Sequence, residues 1–174
     1  MICAKEKLEA IDDCELIDLL HSHWRESGEA RMHDRYFYWD RDAHIDLESK
    51  NAWCAFTLRD ENGNLTGYAT FFLCDHPFMR SADLIPAKVA QLEALYIRPD
   101  ARRGWTAIKF LREIAVYLRD DTFDAIYLGS PDGSKCGSLF KLMGGIPLET
   151  IWRIDLASQN KNKICEEGNI WECQ

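Results

Sequence analysis

The sequence predicts one α/β domain, and three observations carry that reading. The first is the stretch 92–111, Leu-Glu-Ala-Leu-Tyr-Ile-Arg-Pro-Asp-Ala-Arg-Arg-Gly-Trp-Thr-Ala-Ile-Lys-Phe-Leu. It starts as an apolar run of strand residues, turns at Pro99-Asp100 and passes Arg102-Arg103-Gly104. It then becomes a helix with apolar residues at Ala107, Ile108, Leu111, Ile114, Ala115 and Leu118. The second is Asn62-Gly63, set in a five-residue connector between β-prone runs at 52–59 and 65–73, a strong hairpin signal. The third is the order of patterns along the chain: helix, hairpin, strand, helix, strand, helix, strand. With 174 residues, 47% hydrophobic, the chain is of one-domain size and can fill a core.

Taken in order, residues 1–11 have room for a short first strand. Asp12-Asp13-Cys14-Glu15 reads as a capping box, Asp12 at the N-cap and Glu15 three residues on. Leu16, Ile17, Leu20 and Trp24 then form a helical stripe, with Gly28 as its stop. Residues 29–50 are polar and aromatic, with Tyr36, Phe37, Tyr38 and Trp39 in a row, and form either a second short helix or an ordered loop. After the hairpin, residues 74–88, with His76, Pro77 and Pro86, read as a surface insertion. Residues 89–97 follow as a strand buried on both faces. A helix over 103–119, a strand over 123–129, a helix over 134–143 stopped by Gly144-Gly145, and one or two strands in 146–156 complete the domain. Residues 157–174 are polar and read as a tail or docking arm beyond a domain of 1–156.

Composition narrows the function. Nothing approaches the ~18 consecutive apolar residues of a membrane span, and the N-terminal segment lacks a signal-peptide core, so a soluble cytoplasmic protein is expected. The net charge of −8 argues against non-specific nucleic-acid binding, which needs cations to neutralise phosphates. Yet Arg98, Arg102, Arg103, Lys109, Arg112 and Arg119 concentrate in one strand–helix unit, a patch suited to the phosphates of a nucleotide cofactor. Seven cysteines at irregular spacing, with no Cys-x-x-Cys, read as reduced thiols, several of them packed in the core. His21 and His23 stand at i,i+2, on different helix faces, so no metal is expected.

A strand that passes through a basic, Gly-containing turn into a helix N-terminus presents free N–H groups and a positive dipole end to an anion. Leu95, Ile97, Pro99, Arg103 and Gly104 stand in the pattern Leu-x-Val/Ile-x-Pro-x-x-Arg-Gly, and Thr106 and Ile108 stand where further small residues are usual. This segment resembles the acyl-CoA-binding motif of the GNAT superfamily of N-acetyltransferases. The hairpin phrase 60–68 and the phrase Ser138-Leu139-Phe140-Lys141-Leu142-Met143-Gly144-Gly145 are similar to the family's second-to-third strand turn and its late helix. The resemblance covers about residues 12–156. His23-Trp24-Arg25-Glu26 and His76-Pro77 bring the layout closest to bacteriophage-encoded members, hence a host-cytoplasm setting.

The resemblance implies a mixed, mostly antiparallel twisted sheet flanked by helices, with acetyl-CoA as co-substrate and no metal. It implies a pantetheine arm running beside Leu95-Tyr96-Ile97 and a pyrophosphate on backbone N–H groups of residues 103–108 (Arg103, Gly104, Trp105, Thr106, Ala107 and Ile108), with Arg102 or Arg103 near its charge. A β-branched Thr106 cannot take the positive φ of Gly, so a loop needing that conformation there is distorted. The acceptor is a primary amine of a small molecule or protein, and its proton needs a base. Glu93 is the first candidate, placed by the strand period of two on the face of Leu95 and Ile97, and Glu26 the second. A backbone N–H of the cofactor strand would stabilise the oxyanion. Where the family usually has a late-helix Tyr that protonates the thiolate, this chain has Phe140, which cannot donate. That departure keeps two alternatives open: a GNAT-shaped phage protein without turnover that binds a host factor, and a GNAT-like nucleobase-modifying protein. Family analogy also allows a homodimer joined through residues 146–156 and the tail.

Overall fold

The computed structural model describes residues 1–26, 37–80, 83–129 and 136–148. Among them, nine regular elements alternate along the chain: β1 (Ile2–Glu6), α1 (Asp13–Glu26), α2 (Arg41–Ser49), β2 (Trp53–Arg59), β3 (Leu65–Arg80), β4 (Pro86–Ile97), α3 (Thr106–Asp120), β5 (Ala125–Tyr127) and α4 (Cys136–Leu142). The strands form one sheet in sequence order, antiparallel except for the last pair, β4 with β5, which is parallel. The α3 crossover supplies the length that a parallel connection needs. The expected mixed, mostly antiparallel α/β architecture is therefore present.

Alternation along the strands gives each face of the sheet its own core. On one face Phe56, Phe71, Ala90 and Ile97 pack with Phe110, Leu111, Ile114 and Leu118 of α3 and with Phe140 of α4. On the other, Trp53, Ala55, Tyr68 and Tyr96 pack with Leu16, Leu19 and Leu20 of α1, and Ile45 and Leu47 of α2 lie against them. The α1 stripe thus runs through Leu19, while Ile17 is exposed.

Local chemistry sets the element ends. Asp12 accepts from the Glu15 N–H at 3.1 Å, one half of the predicted capping box. The Glu15 carboxylate does not reach back; it accepts from Arg59 at 3.1 Å and from the Leu65 N–H at 3.3 Å, fastening α1 to the hairpin. In the connector Asp60 accepts from the N–H groups of Asn62 and Asn64, and Gly63 takes φ +86°. Arg41 donates to the carbonyl oxygens of Leu8 and Ile11, and buried Glu48 accepts from the Leu8 N–H, so α2 is moored to the turn before α1. At the end of α4, Gly144 takes φ +86° and the Gly145 N–H donates back to Phe140 O at 2.9 Å.

Several boundaries differ from expectation. Residues 74–80 and 86–88 are not a surface insertion: they extend β3 and β4 as a long hairpin arm, with Cys74 opposite Val89 and Asp75 opposite Lys88. The β4 strand is buried on both faces only at Val89-Ala90 and Tyr96-Ile97; between them Gln91 and Glu93 are exposed. The 103–119 helix begins at Thr106, because Pro99–Ala101 forms a separate 3-10 turn and Gly104 has φ +56°. Residues 146–148 are not in a strand. The Gly28 stop, Tyr36, residues 149–156 and the tail 157–174 lie outside the described residues.

Candidate active site

The strand β4 is not uniform. Its pairing with β3 shifts by one residue between Thr70–Ala94 and Phe71–Leu92, so Glu93 is the extra residue of a β-bulge. A one-residue bulge reverses the alternation beyond it. Ala90 and Leu92 before it, and Leu95 and Ile97 after it, all pack on the α3 side, whereas Ala94 and Tyr96 belong to the α1 side. Glu93 also faces the α1 side, where its Oε2 accepts from the Trp53 indole N–H at 2.7 Å. This corrects the expectation that Glu93 shares a face with Leu95 and Ile97: a strict period of two fails at a bulge.

The second Glu93 oxygen, Oε1, lies 3.4 Å from His44 Nε2. His44 Nδ1 lies 2.5 Å from the carbonyl oxygen of Asp40, which can only accept, so Nδ1 carries a proton. Nε2 is therefore the imidazole atom free to exchange a proton with the carboxylate. Trp39 packs against the His44 ring at 5.2 Å, and Trp53 meets it edge-on at 5.1 Å. The Glu93 side chain keeps 30% of its exposure, enough for a ligand to reach it.

Beside this carboxylate the sheet opens. The β4–β5 pairing spans only Val89–Ala125, Ala90–Ile126 and Gln91–Tyr127. Beyond Gln91, β4 has no strand partner on that side among the described residues, although it stays paired to β3 as far as Ile97. The backbone of Leu95, Tyr96 and Ile97 is thus a strand edge among the described residues.

At the end of that strand, the turn into α3 contains Gly104, whose φ of +56° suits a residue without Cβ and beside which a Cβ would meet nothing within 4 Å. Thr106 is not asked for positive φ; it opens the helix, and its hydroxyl donates to Arg103 O at 2.7 Å. The helix-closing bonds begin with the Lys109 N–H donating to Trp105 O, which leaves the N–H groups of Ala107 and Ile108 at the free first turn. Arg103 is exposed there, as is Trp105 at 62%. A glycine turn, an open helix start and a solvent-facing guanidinium suit a diphosphate.

Arg102 is differently employed. Its Nε donates to Ile97 O at 2.5 Å, its Nη2 to Glu26 Oε2 at 2.6 Å, and its guanidinium sits over the Tyr96 ring at 5.1 Å. The other Glu26 oxygen accepts from the Tyr96 hydroxyl at 2.6 Å. Burial works to raise the Glu26 carboxyl pKa, but the hydrogen bonds from Tyr96 and Arg102 outweigh it and hold the group below its ordinary range. Burial, with the Glu26 hydrogen bond, pushes the Tyr96 phenol up to about 12, so it stays a donor. His23 stacks on Tyr96 at 5.0 Å and shares a hydrogen bond of 2.7 Å with the Tyr68 hydroxyl. Glu26 is thus the anchor of a latch between α1 and the β4–α3 turn; both its oxygens are engaged.

Phe140 is buried in the α3-side core, so α4 offers no phenol at this place. Cys3 and Cys54 are buried, and desolvation lifts both thiols to about 12. No three His, Cys, Asp or Glu side chains converge as metal ligands among the described residues. The sequence reading missed His44 and Trp53. Neither lies in a motif, and they meet Glu93 only because α2 and β2 converge on the bulge.

No curated protein sequence matches this chain. Among solved structures it is similar to the ribosomal-protein-alanine N-acetyltransferase of Brucella melitensis biovar Abortus 2308, with 20% identity, 89% of this chain and 99% of that chain covered, and a TM-score of 0.63. It is similar to a predicted acetyltransferase of Clostridium acetobutylicum solved with acetyl-CoA, with 15% identity, 91% and 97% covered, and a TM-score of 0.64. It is also similar to an aminoglycoside acetyltransferase from an uncultured soil metagenomic sample solved with sisomicin, with 11% identity, 89% and 95% covered, and a TM-score of 0.64. At these identities the likeness is one of fold. The family model for acetyltransferases of the GNAT type matches residues 15–136, well over half of the chain and inclusive of the bulged strand, the glycine turn and α3. The chain therefore belongs to the acetyltransferase (GNAT) family and is an N-acetyltransferase of that type.

Proposed function

We propose that the protein transfers an acetyl group from acetyl-CoA to a primary amine, with Glu93 accepting the amine proton and His44 receiving it in turn. The observation that carries this reading is the β4 bulge. It turns one carboxylate to the α1 side, within reach of solvent, where β4 parts from β5. When bound, acetyl-CoA would supply the acetyl group as a thioester, and its sulfur would leave as the thiolate and take a proton from solvent. The edge of Leu95–Tyr96–Ile97, apart from Ile97 O, which already accepts from Arg102, would hold its pantetheine arm as an added strand. The Gly104 turn, with the N–H groups of Trp105, Ala107 and Ile108 and the Arg103 guanidinium, would hold its pyrophosphate, the N–H groups of Arg103 and Thr106 being taken by Ala101 O and Arg103 O. Arg102 would act from behind, keeping the turn in place through Ile97 and Glu26.

An amine attacks only when neutral, so the chain must remove a proton. The indole of Trp53 fixes Glu93 Oε2 and leaves Oε1 as the accepting oxygen. From Oε1 the proton passes to His44 Nε2, because Nδ1 is already protonated towards Asp40 O. The carboxylate is thereby restored and the positive charge moves to a ring flanked by Trp39 and Trp53. The likeness to phage-encoded members, carried by the phrases at 23–26 and 76–77, would place this chemistry in a host cytoplasm, where acetyl-CoA is available.

The test is Glu93→Gln. Product formation from acetyl-CoA and an accepted amine should fall by about 10²–10⁴-fold, while acetyl-CoA still raises the melting midpoint as it does for the parent protein. Unchanged turnover would remove Glu93 from the mechanism.

A further inference from the structure

We propose that the acceptor is a primary amine borne on a compact apolar group, and that this group enters a cavity between α1 and the sheet. The proposal rests on the reading of Glu93 as the acceptor's base. The cavity has about 80 Å³ of free space, and it is walled by Leu16 and Leu20 of α1, by Trp39 and Trp53, and by Tyr68 and Ala94 of the sheet. Glu93 is the only charged residue lining it among the described residues. The other polar groups on its wall include Thr57, whose hydroxyl is spent on Glu6, and Tyr68, whose hydroxyl is spent on His23. A ligand there meets mostly apolar surface, with the Glu93 carboxylate and the Thr70 hydroxyl as the polar groups left to it.

Three consequences define the ligand. An alkylammonium is recognised by the Glu93 carboxylate and by the faces of flanking indoles. Its substituent must be small: an apolar cavity of roughly 150 Å³ accommodates benzene, and this one is about half that size. It must also carry few hydroxyls, since the Thr70 hydroxyl can partner one at most and a buried hydroxyl without a partner is penalised. An aminated sugar or aminocyclitol fails on both counts. Two sources share the accepted chemistry: a free short-chain amine, and the N-terminal amine of a peptide whose first side chain is apolar.

The experiment measures free thiol released from acetyl-CoA by the full chain with unbranched amines from ethyl to hexyl, amino alcohols of equal length, an aminoglycoside, and peptides beginning with Gly, Ala or Leu. The kcat/KM should rise about fourfold per methylene up to the size limit and then fall. It should be lower by roughly tenfold or more for amino alcohols whose hydroxyl lies out of reach of Thr70. Comparing free amines with peptides tells the two sources apart. Thr70→Leu, which fills the cavity, should move the optimum to a shorter chain, and Leu20→Ala, which enlarges it, to a longer one. Circular dichroism and melting with acetyl-CoA establish that each variant is folded. Equal rates for amines of every length, or an aminoglycoside preferred over all of them, with both folded variants keeping the parent's profile, would overturn the cavity assignment and leave the acetyltransfer reading intact. Conversely, no amine-dependent thiol release, alongside calorimetric binding of butylamine that Thr70→Leu abolishes, would uphold the cavity as an amine site and sink the acetyltransfer reading.

Discussion

Single residues here act through what their neighbours leave free. Gly104 and Arg103 illustrate it. Gly104 has room for a Cβ but the wrong φ for one, so Gly104→Ala should cost roughly 1–2 kcal/mol of stability from backbone conformation alone. It should also weaken acetyl-CoA binding in a calorimetric titration, because relief of the strain re-aims the turn's N–H groups. Arg102 and Arg103 are adjacent and chemically identical, yet their predicted variants behave oppositely. Arg103→Ala should weaken acetyl-CoA binding, most at low salt, with the melting temperature unchanged. Arg102→Ala should lower stability by about 1–2 kcal/mol through the lost bonds to Ile97 and Glu26. Parallel melts and titrations of the pair separate the roles; equal loss of acetyl-CoA affinity in both would contradict the division.

At the scale of elements, the parts legible in the sequence were those whose signal is local. The Asn62-Gly63 turn, the Asp12 cap, the α3 stripe and the Gly144-Gly145 stop each depend on a few neighbouring residues, and each appears in the fold. The pattern of Pro99, Arg103 and Gly104 was equally readable, since a turn between strand and helix is a local object. The bulge was not. Nothing in Leu92-Glu93-Ala94-Leu95 shows that one residue is extra; that is a property of the register against β3. Its consequence is large: the face of Glu93 reverses, and the partners Trp53 and His44 come from elements 40 and 49 residues away. The hairpin arm was misread for a related reason, since its prolines suggested a loop while the pairing with the opposite strand, from Cys74 onward, kept it extended.

For the whole molecule, stability depends on carboxylates that tie separate elements together. Arg59 hydrogen-bonds the Glu6 carboxylate and, against the opposing effect of burial and with help from Thr57, holds its pKa below the ordinary range; Glu26 is lowered likewise. A carboxyl with a lower pKa folded than unfolded stabilises the protein above its unfolded value, about 4.3 for Glu. That contribution is lost as pH falls through the folded value, because the unfolded state then binds more protons. Urea midpoints should therefore drop steadily below about pH 4.3, and Glu6→Gln should be less stable at neutral pH by roughly 1–3 kcal/mol with a flatter acid limb. An acid limb identical to the parent's would remove Glu6 from this account.

The three-pair ladder between β4 and β5 has a last consequence. An unsatisfied strand edge normally sits at the margin of a sheet, where it invites another chain to add on. Here the edge begins partway along β4, past Gln91, and no strand among the described residues covers it. If acetyl-CoA adds there as a strand that is not peptide, occupancy should be visible as slowed hydrogen exchange at alternate amides of residues 93–97, those facing away from β3, while amides facing β3 keep their rate.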